Sequence, residues 1–145
     1  MQSLLSVYQD IEKLGIPVII GTLDAEGSIA VKIDDDIRFI VLDKRIQSEK
    51  AEKVQLTHEL GHHQTDTIYH ESDNLSEKSR CEYRANKWAV HRLLPYEDMK
   101  AAMEKGIIEI WELAEYFDVT EDFIQLCFRH YQDEGLYFPP VCGNE

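Results

Sequence analysis

Three short apolar stretches separated by turn-forming residues occupy the first third of the chain. They cover residues 16–23, 28–33 and 37–42. The segments between them, Asp-Ala-Glu-Gly at 24–27 and three aspartates at 34–36, have the composition of turns. This alternation predicts an antiparallel meander of three strands. If strand 37–42 forms the sheet edge, a peptide could add to it as a further strand; the alternative is a simple core strand.

The rest of the chain has helical periodicity. Residues 1–15 carry apolar residues on one side and predict an amphipathic helix; their acidic residues and lack of a basic region distinguish them from a signal peptide. Two longer helices are predicted at about 48–64 and 77–93, the first capped by Ser48. A C-terminal helical part is predicted at about 96–132.

The C-terminal helical part resembles a helix-turn-helix pair. The apolar spacing of residues 110–131 is typical of such a pair, and Thr120 can cap its second helix. Residues 106–131 contain six acidic residues and one basic residue, Arg129. Because a helix that reads DNA needs basic residues, this charge favours a role in packing or protein contact.

The overall charge also argues against nucleic-acid binding. The 145 residues include 15 basic and 28 acidic ones, a formal net charge of −13. Affinity for phosphates comes from lysine and arginine, so we expect no direct contact with nucleic acid. No apolar run approaches the ~18 residues of a membrane span. Cys81, Cys127 and Cys142 are odd in number and widely spaced, which predicts no disulfide framework and a cytoplasmic location.

Residues 58–62 read His-Glu-Leu-Gly-His and indicate a metal site. On a helix, His58 and His62 lie one above the other and can bind one ion, while Glu59 can reach a water beside it. Zinc hydrolases use this arrangement, with three protein ligands and a fourth position open for water. Gly61 costs the helix about 1 kcal/mol relative to alanine, which indicates close packing by another element.

The third ligand must come from elsewhere in the chain. An extended motif would place a histidine six residues after the second one, but Ile68 stands there. Glu82 on the second long helix is the better candidate. Asn86 shares its face and could fix a ligand imidazole through the other ring nitrogen. Glu71 and Glu77 remain weaker alternatives.

Two segments together resemble the signatures of the ImmA/IrrE family of zinc metallopeptidases. They are THELGHH at 57–63 and CEYRANKWAVHRLLP at 81–95. In the second, Trp88 and Leu94 replace the usual phenylalanine and methionine with other large apolar side chains. The resemblance extends from the predicted strands to about residue 130. It implies that the zinc ligands are His58, His62 and Glu82 and that the catalytic base is Glu59.

The resemblance implies a site-specific, zinc-dependent endopeptidase that cleaves a helix-turn-helix (XRE-type) repressor to relieve repression, often in prophages or other mobile elements. The alternative is a metal-stabilised anti-repressor that binds its partner without cutting it, and that therefore does not need Glu59. The oxyanion also requires a donor, and the sequence does not select among four candidates. These are Tyr69, His70, Tyr83 and His91.

We therefore expect an α+β fold. A small antiparallel three-stranded sheet packs against a mainly helical zincin-like core, and helix-turn-helix-like helices follow. We expect residues 1–132 to form a single metallopeptidase domain and residues 133–145 to form a C-terminal arm, partly ordered by its apolar residues.

Overall fold

The structure, a computed structural model, describes residues 2–25 and 27–138. Within this part of the chain, six helices and one three-stranded sheet confirm the α+β expectation. In chain order the elements are α1 (Leu4–Lys13), β1 (Val18–Gly21), β2 (Ser28–Ile33), β3 (Ile37–Asp43), α2 (Glu49–Thr65), α3 (Leu75–Leu93), α4 (Tyr96–Glu104), α5 (Ile110–Phe117) and α6 (Glu121–Asp133).

The two long helices begin at capping residues. Ser48 caps α2 as expected, and its hydroxyl accepts a hydrogen bond from the Ala51 amide at 3.3 Å. Helix α3 begins two residues earlier than predicted, because Asn74 caps it and accepts from the Glu77 amide at 2.8 Å. Helix α2 ends where Asp66 adopts a left-handed conformation with φ of 54°. The polar segment that follows therefore turns away from the helix axis.

The sheet corrects the expected antiparallel meander. Its strand order is β1-β3-β2, with β1 parallel and β2 antiparallel to β3. Strand β3 is therefore central, so of the two alternatives for residues 37–42 the structure shows the core strand and not the sheet edge. The connection after β1 crosses the end of β3, where the Asp43 carboxylate accepts from the Leu23 amide at 2.9 Å. Turn composition marks the reversals of the chain but not which strands become neighbours.

One buried apolar cluster joins the sheet to the helices. Ile40 and Leu42 of β3 are buried in it together with Leu56 and Leu60 of α2. Both ends of the described chain contribute, through Val7 and Ile11 of α1 and Ile124 and Tyr131 of α6. Helix α2 is packed between the sheet and α3, so the His-Glu-x-x-His segment is held by buried neighbours on two sides.

The C-terminal helices form the expected helix-turn-helix-like pair. Thr120 caps α6 and accepts from the Phe123 amide at 3.3 Å. The described part of the C-terminal arm is ordered by Phe138, whose ring packs against Tyr96, Phe128 and Tyr131.

The described cysteines form no disulfide bond. The thiols of Cys81 and Cys127 are free, and Cys142 lies outside the described residues. No helix in the described ranges combines the length and apolar character needed to cross a membrane.

Candidate active site

Helices α2 and α3 bring the two histidines and Glu82 together at one point. The Nε2 atoms of His58 and His62 lie 3.2 Å apart. Glu82 approaches from α3, with Oε2 at 2.9 Å from His58 Nε2 and Oε1 at 3.0 Å from His62 Nε2. Three potential ligand atoms from two helices therefore converge.

This donor set fits a metal ion. Two imidazole nitrogens and one carboxylate oxygen are typical zinc ligands. With bonds of about 2.0–2.1 Å, the ligands of a tetrahedral zinc ion are about 3.3 Å apart. The observed separations of 2.9–3.2 Å are close to that value. Shifts of a few tenths of an ångström would open the cluster to zinc without moving either helix.

The neighbouring titratable residues do not join the cluster. Glu71 lines the same cleft but lies outside the group of potential ligands. Glu77 pairs with Arg80 on the exposed face of α3. His63 turns toward the sheet, where its Nε2 lies 3.0 Å from the Phe39 carbonyl oxygen. Of the three acidic candidates, the structure thus places Glu82 with the histidines.

The charges at the cluster favour a cation. Burial alone would lower the pKa of His58, but the hydrogen bond to Glu82 and the charges of Glu59 and Glu82 raise it above its usual value. Burial opposes ionisation of Glu82, yet the hydrogen bonds from His58 and His62 hold the pKa of Glu82 well below its usual range. Glu82 is therefore ionised at neutral pH, as a metal ligand must be.

Thr67 fixes the orientation of His62. The His62 Nδ1 lies 3.0 Å from the Thr67 carbonyl oxygen and 3.1 Å from its hydroxyl oxygen. A carbonyl can only accept, so Nδ1 carries the proton and the lone pair of Nε2 faces the cluster when the ring is neutral. The side chain of Asn86 forms a hydrogen bond with His58, which contributes to the raised pKa of that imidazole.

Glu59 is buried beside the cluster, with 5% of its surface exposed. The Ser28 hydroxyl lies 2.7 Å from Glu59 Oε2 and 2.7 Å from the Gln55 Oε1, and can donate to either. Burial raises the pKa of Glu59 above its usual value, although the nearby histidines oppose the shift. A carboxylate with a raised pKa accepts a proton more readily, which suits a general base.

An open cleft of about 480 Å³ gives access to these groups, lined on one side by residues 27–30 and on another by Tyr69. The Tyr69 hydroxyl donates to Glu82 Oε1 at 2.9 Å. Burial and that hydrogen bond raise the pKa of Tyr69 to about 12, so it remains a donor. The hydroxyl of Tyr83 donates to Asp133 instead.

The other two oxyanion candidates also lie away from the cleft. His91 contacts Glu134, with Nε2 2.8 Å from Oε2. His70 is not among the cleft-lining residues. Of the four candidates, all of them described residues, Tyr69 alone lines the cleft that contains His58, His62 and Glu82.

A His-Glu-x-x-His segment that converges with a glutamate from a second helix is typical of one class of metallopeptidases. Residues 11–128 match the peptidase family described as the IrrE N-terminal-like domain, and the chain belongs to this ImmA/IrrE family. No curated protein and no solved structure is significantly similar to the chain. The family and the His58–His62–Glu82 cluster thus agree on a metallopeptidase with a candidate metal site.

Proposed function

We propose that the protein is a zinc-dependent endopeptidase that cleaves a helix-turn-helix repressor in the cytoplasm. The observation that carries the proposal is the position of Glu59, a buried carboxylate with a raised pKa beside three potential metal ligands. Zinc is the preferred ion because two of the ligands are imidazoles, which suit zinc better than magnesium or calcium. The free thiols of Cys81 and Cys127 fit a reducing compartment.

Several residues of the chain have separate roles in amide hydrolysis. When bound, zinc would polarise the scissile carbonyl and lower the pKa of water. Glu59 takes the proton from the attacking water and passes it to the leaving amine. The Tyr69 hydroxyl donates a hydrogen bond to the developing oxyanion. Thr67 and Asn86 hold the two imidazoles through their other ring nitrogens.

The free edge of β2 supports an extended protein substrate. Strand β2 pairs only with β3 among the described strands, and residues 27–30 at its beginning line the cleft. A peptide that adds to this edge as a further strand would pass directly beside Glu59. Strand addition accepts a segment from the middle of a chain, which favours an endopeptidase.

The proposed partner follows from the charge of the chain. A protein with a net charge of −13 attracts basic partners. DNA-binding domains carry many lysines and arginines. A repressor of the helix-turn-helix class therefore suits this surface.

The test mixes the zinc-loaded protein with helix-turn-helix repressors of the same organism and follows each repressor by intact-mass spectrometry. The control is Glu59→Gln, which keeps the size of the side chain but removes the base. We expect one specific cut that only the unaltered protein makes. An intact repressor that forms a complex with both versions would instead establish a non-catalytic anti-repressor.

A further inference from the structure

A second groove lies on the other side of the metal ligands. It has a volume of about 440 Å³ and runs between α2 and α6, with Asn86 of α3 at one side. Gln55 and His58 line both this groove and the cleft that contains the candidate metal ligands. The groove therefore adjoins the proposed active site, and these two residues form the wall between them.

Part of the groove is apolar. Ala51 and Val54 of α2 and Phe123 and Leu126 of α6 form this apolar part, and the other lining residues are polar or charged. Phe123 is buried, whereas Ala51, Val54 and Leu126 are only partly covered by the core against which they pack. Binding of an apolar group to this surface is favourable because the group displaces water from it.

Arg129 adds a charge to this apolar groove. Residues 106–131 contain six acidic residues, and Arg129 is the one lysine or arginine among them. Its side chain is exposed, and no carboxylate of residues 2–25 or 27–138 lies within ion-pair distance of it. Arg129 also lines the neighbouring hollow, as Glu82 does, so its side chain borders both the groove and a hollow with one of the candidate metal ligands.

The groove also has one acidic residue, Asp122. Asp122 does not line the hollow that Glu82 and Arg129 line. It precedes Arg129 by two helical turns, a distance of about 10 Å along the axis of α6. A substrate carboxylate near the scissile bond would therefore meet Arg129 before Asp122.

We propose that this groove is a specificity subsite that accepts an apolar side chain of the substrate next to the scissile bond, and that Arg129 pairs with a carboxylate close to that side chain. This inference rests on the proposed peptidase function and names the substrate sequence that the site prefers. A leucine, isoleucine, methionine or phenylalanine side chain suits the apolar walls. An aspartate or glutamate within a few residues, on the same side of the cut, suits the guanidinium of Arg129.

The test digests a synthetic library of mixed-sequence peptides with the full zinc-loaded chain and identifies the new termini by mass spectrometry. We expect large apolar residues at one position beside the cut to be favoured over alanine by at least about tenfold. We also expect acidic residues nearby to be favoured by roughly fivefold, the effect of an exposed ion pair.

Two groove variants assign these preferences to the residues. Val54→Trp fills the groove and is expected to shift the apolar preference toward glycine and alanine. Leu126→Ala enlarges the groove, serves if Val54→Trp does not fold, and is expected to shift the preference toward the largest aromatic residues. Arg129→Glu is expected to replace the acidic preference by a basic one. Arg84→Glu, the same charge change at an exposed residue that does not line the groove, is expected to change neither preference.

The outcomes separate this inference from the proposed function. Cleavage with no preference beside the cut, or a preference that the groove variants leave unchanged, would overturn the subsite while the peptidase remains. If the wild-type protein cleaves neither the library nor the repressor, the proposed function fails and the subsite falls with it.

Discussion

The Gly61 Cα faces the backbone carbonyl of Ala85 at the crossing of α2 and α3. A Cβ atom added at Gly61 would lie 2.7 Å from the Ala85 oxygen, closer than real Cβ atoms approach such an oxygen. The expectation that a glycine in the motif helix marks close packing is therefore confirmed. This contact sets the separation of the two helices that carry His62 and Glu82.

We expect Gly61→Ala to destabilise the protein despite the better helix propensity of alanine. The substitution gains about 1 kcal/mol of helix propensity. Overpacking against a backbone atom costs about 1–3 kcal/mol, and a backbone oxygen cannot rotate away as a side chain can. The net loss should be up to about 2 kcal/mol, with weaker zinc binding because the ligands of α2 and α3 move apart. Urea denaturation of the metal-free protein and a zinc titration measure the two effects.

Gly21→Ala is the matched control for this experiment. A Cβ atom at Gly21 would meet a Val41 side-chain carbon at 3.7 Å, an ordinary contact. This variant should retain its zinc affinity and change stability little. A Gly61→Ala protein as stable as the wild type would show that the contact with Ala85 costs no more than the roughly 1 kcal/mol that the helix gains.

Local sequence patterns were enough to predict the helices and part of the site. Ser48 and Thr120 cap the helices where they were expected to, because a capping hydrogen bond joins residues only two or three positions apart. The i, i+4 spacing placed His58 and His62 on one face. Glu82 was preferred because Asn86 lies four residues later on the same face, and the second family signature supported that choice.

Contacts between distant segments could not be predicted. The position of β3 between its neighbours depends on long-range pairing, which turn composition does not encode. Ser28 contacts Glu59 across 31 positions and lies in a strand without a motif. Thr67 fixes His62 from a loop whose path is set by the left-handed conformation of Asp66. Sequence reasoning therefore found the candidate ligands but missed two of the groups that position the site.

We expect Glu82→Ala to weaken zinc binding by at least about 100-fold, because even residues that only support a ligand contribute 10–100-fold. Competition with a chromophoric chelator measures the affinity. Glu71→Ala removes a carboxylate from the same cleft that lies outside the ligand cluster, and should leave the affinity unchanged. If Glu71→Ala weakened zinc binding and Glu82→Ala did not, the third ligand would be Glu71 in the loop.

Asp43 should make the stability of the protein depend on pH in the acidic range. Its carboxylate is fully buried and accepts from the amides of Leu23 and Arg45 and from the Arg45 guanidinium. The hydrogen bonds from Arg45 hold the pKa of Asp43 well below its usual range. In the unfolded chain the pKa returns to about 3.9. Ionised Asp43 therefore stabilises the folded state above about pH 4, and this contribution is lost as the pH falls toward the folded-state pKa.

The comparison with Asp43→Asn isolates this effect from the other carboxylates. The difference in unfolding free energy between wild type and variant should be constant from about pH 5 to 7 and should narrow below about pH 4. Urea denaturation at a series of pH values measures it. A difference that stays constant down to about pH 3 would mean that the pKa of Asp43 is not lowered in the folded state.

The Ser28 hydroxyl should control how well Glu59 works as a base. Ser28→Ala removes a contact to a buried carboxylate, and hydrogen bonds to charged groups contribute about 1.5–3 kcal/mol. If the transition state loses a similar stabilisation free energy, kcat falls by about tenfold to a hundredfold. Zinc content and KM should not change, because Ser28 contacts neither of the histidines nor Glu82.

Ser28→Thr keeps the hydroxyl and should restore most of the rate, whereas a merely structural role at the start of β2 would give no such rescue. Steady-state kinetics on the cleaved repressor or on a library peptide decide the matter, and equal kcat in Ser28→Ala and wild type would show that Glu59 is oriented without this strand.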